Sequence, residues 1–209
     1  ADGTLTPLPA PAIDTGMGLE RVTAVLQGHV STYDTDAFTP LLAAIGERAG
    51  TSHRGTMEPA DVSMRVVADH MRAMTSLHAD GIVPSNESRG YVLRKIMRRA
   101  MRHGKKLGLQ EPVLHTLVDS VVGQFGMAYR ELQKSRDSIT RLIRSEEERF
   151  DAVLTNGLPR LEQALDKAAA QGGVVPGEVA FRLYDTHGVP PDFIEDTIES
   201  RGLTLDGAG

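Results

Sequence analysis

Apolar positions recur at helical period along most of this chain. Leu19, Val22, Val25 and Leu26 share one side of residues 15–27, which Gly28 is placed to end. Phe38, Leu41, Leu42 and Ile45 do the same in 37–49, before Gly50, and Met64, Val67, Met71 and Met74 do so in 61–77. The strongest pattern covers 89–107. Pro112, suited to a first helical position, opens a short apolar helix through Val122. A long polar helix is predicted from about 128 toward 150, with 151–170 continuing or following it. Short helices at 178–184 and 192–201 flank the turn His187-Gly188-Val189-Pro190-Pro191. Loops fall at 50–60, 80–88 and 171–177. The one strand candidate is 10–14, and a lone strand needs a sheet to pair with. The prediction is mainly α, and both ends read as cuts in a longer protein.

At 209 residues the chain is one domain plus a fragment, or two small ones, against a norm of about 150 per domain. It is long enough to bury a core without disulfides. With no cysteine it forms no disulfide scaffold, thiolate zinc site, iron–sulfur cluster or cysteine nucleophile. No apolar run nears the roughly 20 residues of a membrane span, and 1–11 lack the features of a signal peptide. The expectation is a soluble, cytoplasmic, monomeric chain. Aromatic content of 4% without Trp disfavours a β-sandwich or an aromatic-lined sugar site.

The net charge of −5 conceals strong segregation. Residues 1–50 hold six acids and two bases, 51–145 nine acids and sixteen bases, and 146–209 thirteen acids and five bases. A basic block between acidic ones points to a polyanionic partner. Its centre is 89–107, with Arg89, Arg94, Lys95, Arg98, Arg99, Arg102, Lys105 and Lys106 and no acid. From Lys95 the bases recur at one helical face, opposite Leu93, Ile96, Met97, Ala100 and Met101. Surface helices ordinarily mix charge signs to gain i,i+4 pairs. Phosphates would supply the missing negative charge; the alternative is a solvated face, or a helix docked on the chain's own acidic segments. Just before this helix lies Asn86, whose amide offers the donor and acceptor of base-edge recognition, although such an Asn also serves as a cap or turn residue.

Asp14-Thr15-Gly16-Met17-Gly18-Leu19-Glu20-Arg21 follows the strand candidate and opens a helix. Glycines at 16 and 18 admit a ligand close to the backbone, and Arg21, one turn in, can grip a phosphate. The unit lacks the further glycine of a dinucleotide fingerprint and the Lys-Ser/Thr of a P-loop. A strand–GxGxxR–helix unit is similar to the third signature motif of class II aminoacyl-tRNA synthetases. IDTGMGLER (13–21), Thr32-Tyr33-Asp34-Thr35-Asp36, RVVADHMR (65–72), ADGIVPSNESRGYVLRKIMRRAMRHG (79–104), RSEEERF (144–150) and AFRLYDTHGVPPDF (180–193) narrow the match. Together, in order and spacing, they resemble the alanyl-tRNA synthetase family across nearly the whole chain.

That resemblance implies an internal fragment, from motif 3 through most of the tRNA-recognition domain. Residues 1–40 would be the C-terminal strand–helix piece of the class II catalytic core, and 41–209 the helical tRNA-recognition domain. The activity implied for the parent is ATP- and Mg²⁺-dependent attachment of alanine to tRNA(Ala). Asp14 then matches the carboxylate that holds the α-amino group of alanine, and Gly16, with Gly18 nearby, leaves room at the substrate methyl. Arg21 matches the arginine that meets ATP phosphate. Asn86 and Asp185 match the pair that reads the G·U pair of the acceptor stem. Arg89, Arg94, Arg98, Arg99 and Arg102, assigned by charge, would position phosphates. No catalytic group beyond these substrate-binding residues is expected. The first two class II motifs would precede residue 1, so no adenylation by the isolated chain and no bound cofactor are expected. The family's zinc site lies beyond residue 209, and the chain's histidines form no ligand cluster, so no metal is expected either. One departure is visible: the family's Tyr-Asp-Thr-Tyr-Gly-Phe-Pro reads Tyr184-Asp185-Thr186-His187-Gly188-Val189-Pro190 here, which affects the seating of Asp185. His187 is read as a packing substitute. The rival reading is a stand-alone, non-catalytic helical RNA-binding module derived from such an enzyme. A DNA-binding protein is disfavoured, because no compact helix-turn-helix is present.

Overall fold

In the computed structural model the chain is described at residues 6, 7, 9, 10 and 12–206. It divides into two compact units, residues 1–40 and 41–209. In the first, 12–18 run without regular structure into helix α1 (Leu19–Gln27), which ends at Gly28 in the left-handed conformation (φ 73°). The expected strand at 10–14 does not form at its described residues, since the described residues of the unit offer no second strand to satisfy its backbone. Helix α1 likewise starts four residues later than the pattern indicated. Leu19, Val25 and Leu26 of its apolar face stay exposed, because so few residues cannot cover both sides of a helix. The Thr32–Asp34 segment forms a 3-10 turn capped by Ser31 Oγ, which accepts from Tyr33 N–H at 3.2 Å. The rings of Tyr33 and Phe38 lie 4.7 Å apart beyond it.

In the second unit, α2 (Thr39–Ala49, its first residues shared with the first unit) buries Leu41, Leu42 and Ile45. Helices α3 (Pro59–Ala79) and α4 (Ser88–Lys106) form an antiparallel hairpin, tied where His103 of α4 meets Ser63 of α3 at 3.1 Å. The methionines sit where the period placed them: Met64, Met71 and Met74 from α3 and Met97 and Met101 from α4 are buried with Val67, Leu93 and Ala100. Pro112 does not open an α-helix. A 3-10 turn (Leu114–Leu117) comes first, and α5 (Val118–Phe125) begins behind it.

The two predicted segments at 128–150 and 151–170 are one 41-residue helix, α6 (Arg130–Ala170), with Pro159 inside it. At 1.5 Å per residue α6 is about 60 Å long, enough to serve two cores. Ile139, Ile143 and Phe150 are buried in its first part. Leu161, Leu165 and Ala168 form a separate cluster with Leu183 of α7 (Gly177–Asp185) and Ile194 and Ile198 of α8 (Pro191–Ser200). Val174–Val175 and Thr204–Leu205 close this cluster as a two-stranded parallel ladder, Val174 opposite Thr204 and Val175 opposite Leu205. The sequence pattern predicts only a loop at 171–177, where the first of these strands lies. No helix among the described residues is long and apolar enough to cross a membrane.

Candidate nucleic-acid interface

Asn86 lies in the 80–87 connection between α3 and α4, and the reason that loop folds back on the helix is Gly90. A Cβ on Gly90 would run into Ser85 Oγ and the Val83 carbonyl oxygen, so only glycine lets the loop lie on the first turn of α4. Ser85 Oγ donates to the Glu87 carbonyl at 2.8 Å, and Ser88 takes a positive φ of 52° to enter the helix. Arg94, two turns into α4, reaches back. Its Nη1 donates to Asn86 Oδ1 and its Nη2 to the Pro84 carbonyl at 3.4 Å. A guanidinium has only donors, so the amide atom it meets is the oxygen. Asn86 is exposed and turns its Nδ2 protons away from Arg94.

The single cationic ridge expected on α4 divides into two faces. Arg94, Arg98 and Arg102, assigned to phosphates from the sequence, are directed at the chain's own acids. Glu146 of α6, 2% exposed, lies 3.5 Å from Arg94 Nε and 3.1 Å from Arg98 Nε. Arg102, 7% exposed, places Nη2 3.1 Å from Asp196 Oδ2 of α8. Lys105 pairs with Asp151 at 2.6 Å. The physical reason is packing. α6 and α8 pack on this side of α4 and bring the acids with them. Arg102 is buried and needs its local counter-charge, while Arg94 and Arg98 pair with Glu146 and keep 20% and 24% of their side chains exposed. All three arginines expected to meet phosphates thus have an acid of the chain beside them, and Arg102 is buried with it.

The outer face remains open. Tyr91, Lys95 and Arg99 follow each other at i, i+4 and i+8, all exposed, and Lys95 Nζ stands 5.7 Å from the centre of the Tyr91 ring. Arg89 is exposed at the helix start. The inner edge holds His103, whose burial, reinforced by Lys106, Arg102 and Arg99, lowers its pKa from 6.5 to about 4. That neutral imidazole keeps one more positive charge out of a crowded helix end.

Asp185 is exposed at the C-terminal end of α7, one turn after the exposed ring of Phe181 and next to that of Tyr184. An apolar groove lined by Phe181, Tyr184, Pro191 and Ile194 lies alongside. The following turn is seated by Val189, fully buried against Gly157 of α6, so the replacement of an aromatic by valine suits a close helix approach. His187 is half-buried within this turn. No hydrogen bond or ion pair joins Asp185 to Asn86 among the described residues. Glu146 and Asp151 of α6 lie beside Arg94 and Lys105, and Gly157 lies further along, so the two residues stand toward opposite ends of α4. A ligand that meets both has to bridge them.

In the first unit Asp14, Gly16, Gly18 and Arg21 are all exposed. Gly18 is the N-cap of α1, and an added Cβ there meets Arg21 at an ordinary 3.5 Å. One on Gly16 meets nothing within 4 Å, so the fold of the unit does not itself demand glycine there. No group of three His, Cys, Asp or Glu side chains among the described residues is arranged to hold a metal ion.

Sequence reasoning missed the acidic pair at the centre of RSEEERF. Glu146 meets the arginines of α4. Glu147 accepts from the backbone N–H groups of Val113, Leu114 and His115 at 2.9, 2.8 and 3.0 Å, and its Oε2 is 2.9 Å from His115 Nδ1. The signal was present: adjacent acids inside a helix, in a chain whose most basic helix has no acid of its own.

The family model for class II (A) tRNA synthetases matches residues 1–209, the whole chain. Over 209 residues the chain is 50% identical to the alanine–tRNA ligase of Caulobacter sp. (strain K31) and 48% identical to that of Acidithiobacillus ferridurans. It is 51% identical over 207 residues to the alanine–tRNA ligase of Chromohalobacter salexigens. All or nearly all of the chain is covered in each case, but it spans only 23–24% of the length of these relatives.

Proposed function

The chain belongs to the class II (A) tRNA synthetases, and from that membership we propose that it is the segment of an alanine–tRNA ligase joining the adenylating core to the tRNA-recognising helices. The observation that carries this reading is the identity of about one half, over the full chain, with proteins named alanine–tRNA ligase. In the whole enzyme, ATP and alanine would form the adenylate and alanine would pass to tRNA, with Mg²⁺ and much of the ATP site coming from outside this segment. Asp14 would hold the substrate amine, Gly16 would leave space for its methyl, and Arg21 would meet an ATP phosphate. The open surroundings of Gly16 support this reading, because an absent side chain that no neighbour requires is free to serve a ligand.

For the RNA we propose that the acceptor stem lies along the outer face of α4. Lys95, Arg99 and Arg89 would contact its phosphates and Asn86 would meet the G·U pair, while Asp185, toward the other end of α4, would reach the same pair only with a shift of α7 and α8 toward the stem. A wide, shallow A-form minor groove is accessible to such side chains. Asn86 would donate from its Nδ2 group, since Arg94 takes up part of its oxygen, and Asp185 would accept from the exposed guanine amino group. The division of labour follows the general rule that phosphate contacts position and base contacts specify.

The test is a titration of the chain with RNA hairpins that differ only in G·U against G·C at one stem position. Tighter binding of the G·U hairpin, reduced by Asn86→Ala and Asp185→Ala by about 1–3 kcal/mol each, is the expected result. Equal binding of the two hairpins by the unmodified chain, or an unchanged preference in both variants, would overturn the base-reading assignment. The same preparation is expected to show no alanine-dependent exchange of pyrophosphate into ATP, and measurable exchange would refute the view that the core is incomplete here.

A further inference from the structure

We infer that Glu146 is a positioning residue for the Asn86 amide, acting through Arg94; the inference rests on the reading of Asn86 as a base-contacting group. Glu146 is one of the few buried charges in α6, 2% exposed in the half of the helix that packs Ile139, Ile143 and Phe150. A buried carboxylate is a poor device for stability alone, since an apolar residue of similar size commonly does as well or better. What it does here is geometric. Its Oε1 accepts from Arg98 Nε at 3.1 Å and faces Arg94 Nε at 3.5 Å. Arg98 in turn lies over the Phe150 ring at 5.4 Å, and that ring is buried. The carboxylate is thus anchored by its hydrogen bond from Arg98, and it sets a buried counter-charge 3.5 Å from Arg94 Nε, which makes no hydrogen bond, so the hold on that edge is ionic.

A guanidinium is planar and rigid, so fixing one edge aims the opposite one. The opposite edge of Arg94 carries the two contacts to the loop, Nη1 to Asn86 Oδ1 and Nη2 to the Pro84 carbonyl. The chain Phe150–Arg98–Glu146–Arg94–Asn86 therefore runs from the core to an exposed amide and sets which end of that amide faces outward. A lysine at position 94 would keep the charge beside Glu146 but lose the second edge. A glutamine at position 146 would keep the volume but lose the ionic hold on both arginines.

The experiment uses the 209-residue chain and its Glu146→Gln and Arg94→Lys variants, with two readouts. The first is the ¹⁵N relaxation of the Asn86 side-chain amide without RNA. It is expected to report an ordered amide in the original chain and a mobile one in both variants, with the backbone of α4 unchanged. The second is the ratio of dissociation constants for the G·C and G·U hairpins, expected to fall several-fold toward unity in both variants while the G·C affinity changes less than twofold. Variants whose Asn86 amide stays as ordered as in the original chain would overturn the inference, as would an equal loss of affinity for both hairpins. If Glu146→Gln does not fold, Arg94→Lys alone decides. If the amide loosens as expected but the original chain never distinguishes the hairpins, the positioning role stands and the base-reading assignment of Asn86 falls.

Discussion

Asp61 occupies the third position of α3 and collects hydrogen bonds from the backbone N–H groups of Arg54 (3.1 Å) and Thr56 (2.6 Å) and from the Thr56 hydroxyl (2.7 Å). Burial by itself would raise its pKa, but these bonds outweigh burial and hold the carboxyl at about 2, below its ordinary 3.8. Its stabilising contribution is therefore complete above pH 4 and is lost as pH falls toward 2. His103 acts in a higher window. Burial, then the cations Lys106, Arg102 and Arg99, hold its pKa at about 4 against an ordinary 6.5. Between those values the unfolded chain takes up a proton that the folded chain refuses, so stability falls as pH drops from 6.5 to 4. Urea midpoints measured at half-unit steps should decline in both windows. His103→Gln is expected to flatten the upper one and Asp61→Asn the lower, and a profile unchanged by either substitution would refute the assignments.

At the scale of elements, α4 and α6 show what a sequence pattern conveys. The period placed α4 at 89–107 against an observed Ser88–Lys106, because Leu93, Met97, Ala100 and Met101 repeat locally and the helix has only one apolar face. Which of its cations would be covered was not legible, since that depends on Glu146 and Asp196, distant in sequence and delivered by packing. The strand expected at 10–14 failed for a related reason: extended propensity is local, whereas pairing needs a second backbone. The ladder of Val174–Val175 with Thr204–Leu205 was missed because two residues carry no period. Candidate site residues were legible in identity, by resemblance, but not in their partners. Glu147 shows the consequence for stability. Its carboxylate caps the 3-10 turn at Leu114–Leu117 through three backbone N–H groups, and an amide in its place accepts more weakly and through one oxygen only. Glu147→Gln should cost about 1–3 kcal/mol, read as a lowered urea midpoint at pH 7 with an unchanged helical spectrum.

For the molecule as a whole, the separation of charge along the chain serves two ends at once. The acid-rich stretch from residue 146 onward supplies Glu146, Asp151 and Asp196 to the inner face of α4, so part of the basic block is neutralised within the second unit. What remains outward, around Lys95 and Arg99, is the part that can exchange counterions with a polyanion. This division makes the two kinds of cation separable by experiment. Binding of a hairpin RNA should weaken linearly with the logarithm of salt concentration, and removing one phosphate contact should reduce that slope by about one. Lys95→Gln and Arg99→Gln are expected to do this, with equal effect on G·U and G·C hairpins and an unchanged melting temperature. Arg102→Gln should behave in the opposite way. It removes the buried guanidinium that pairs with Asp196 at the junction of α4 and α8 and leaves only the longer Lys106 contact at 3.9 Å, lowering the melting temperature and leaving the salt slope of the folded chain where it was. Fluorescence anisotropy across a salt series, paired with thermal melts of the three variants, decides the matter. A slope that drops for Arg102→Gln and not for Arg99→Gln would mean that RNA displaces the acidic helices from α4 rather than binding the face they leave open.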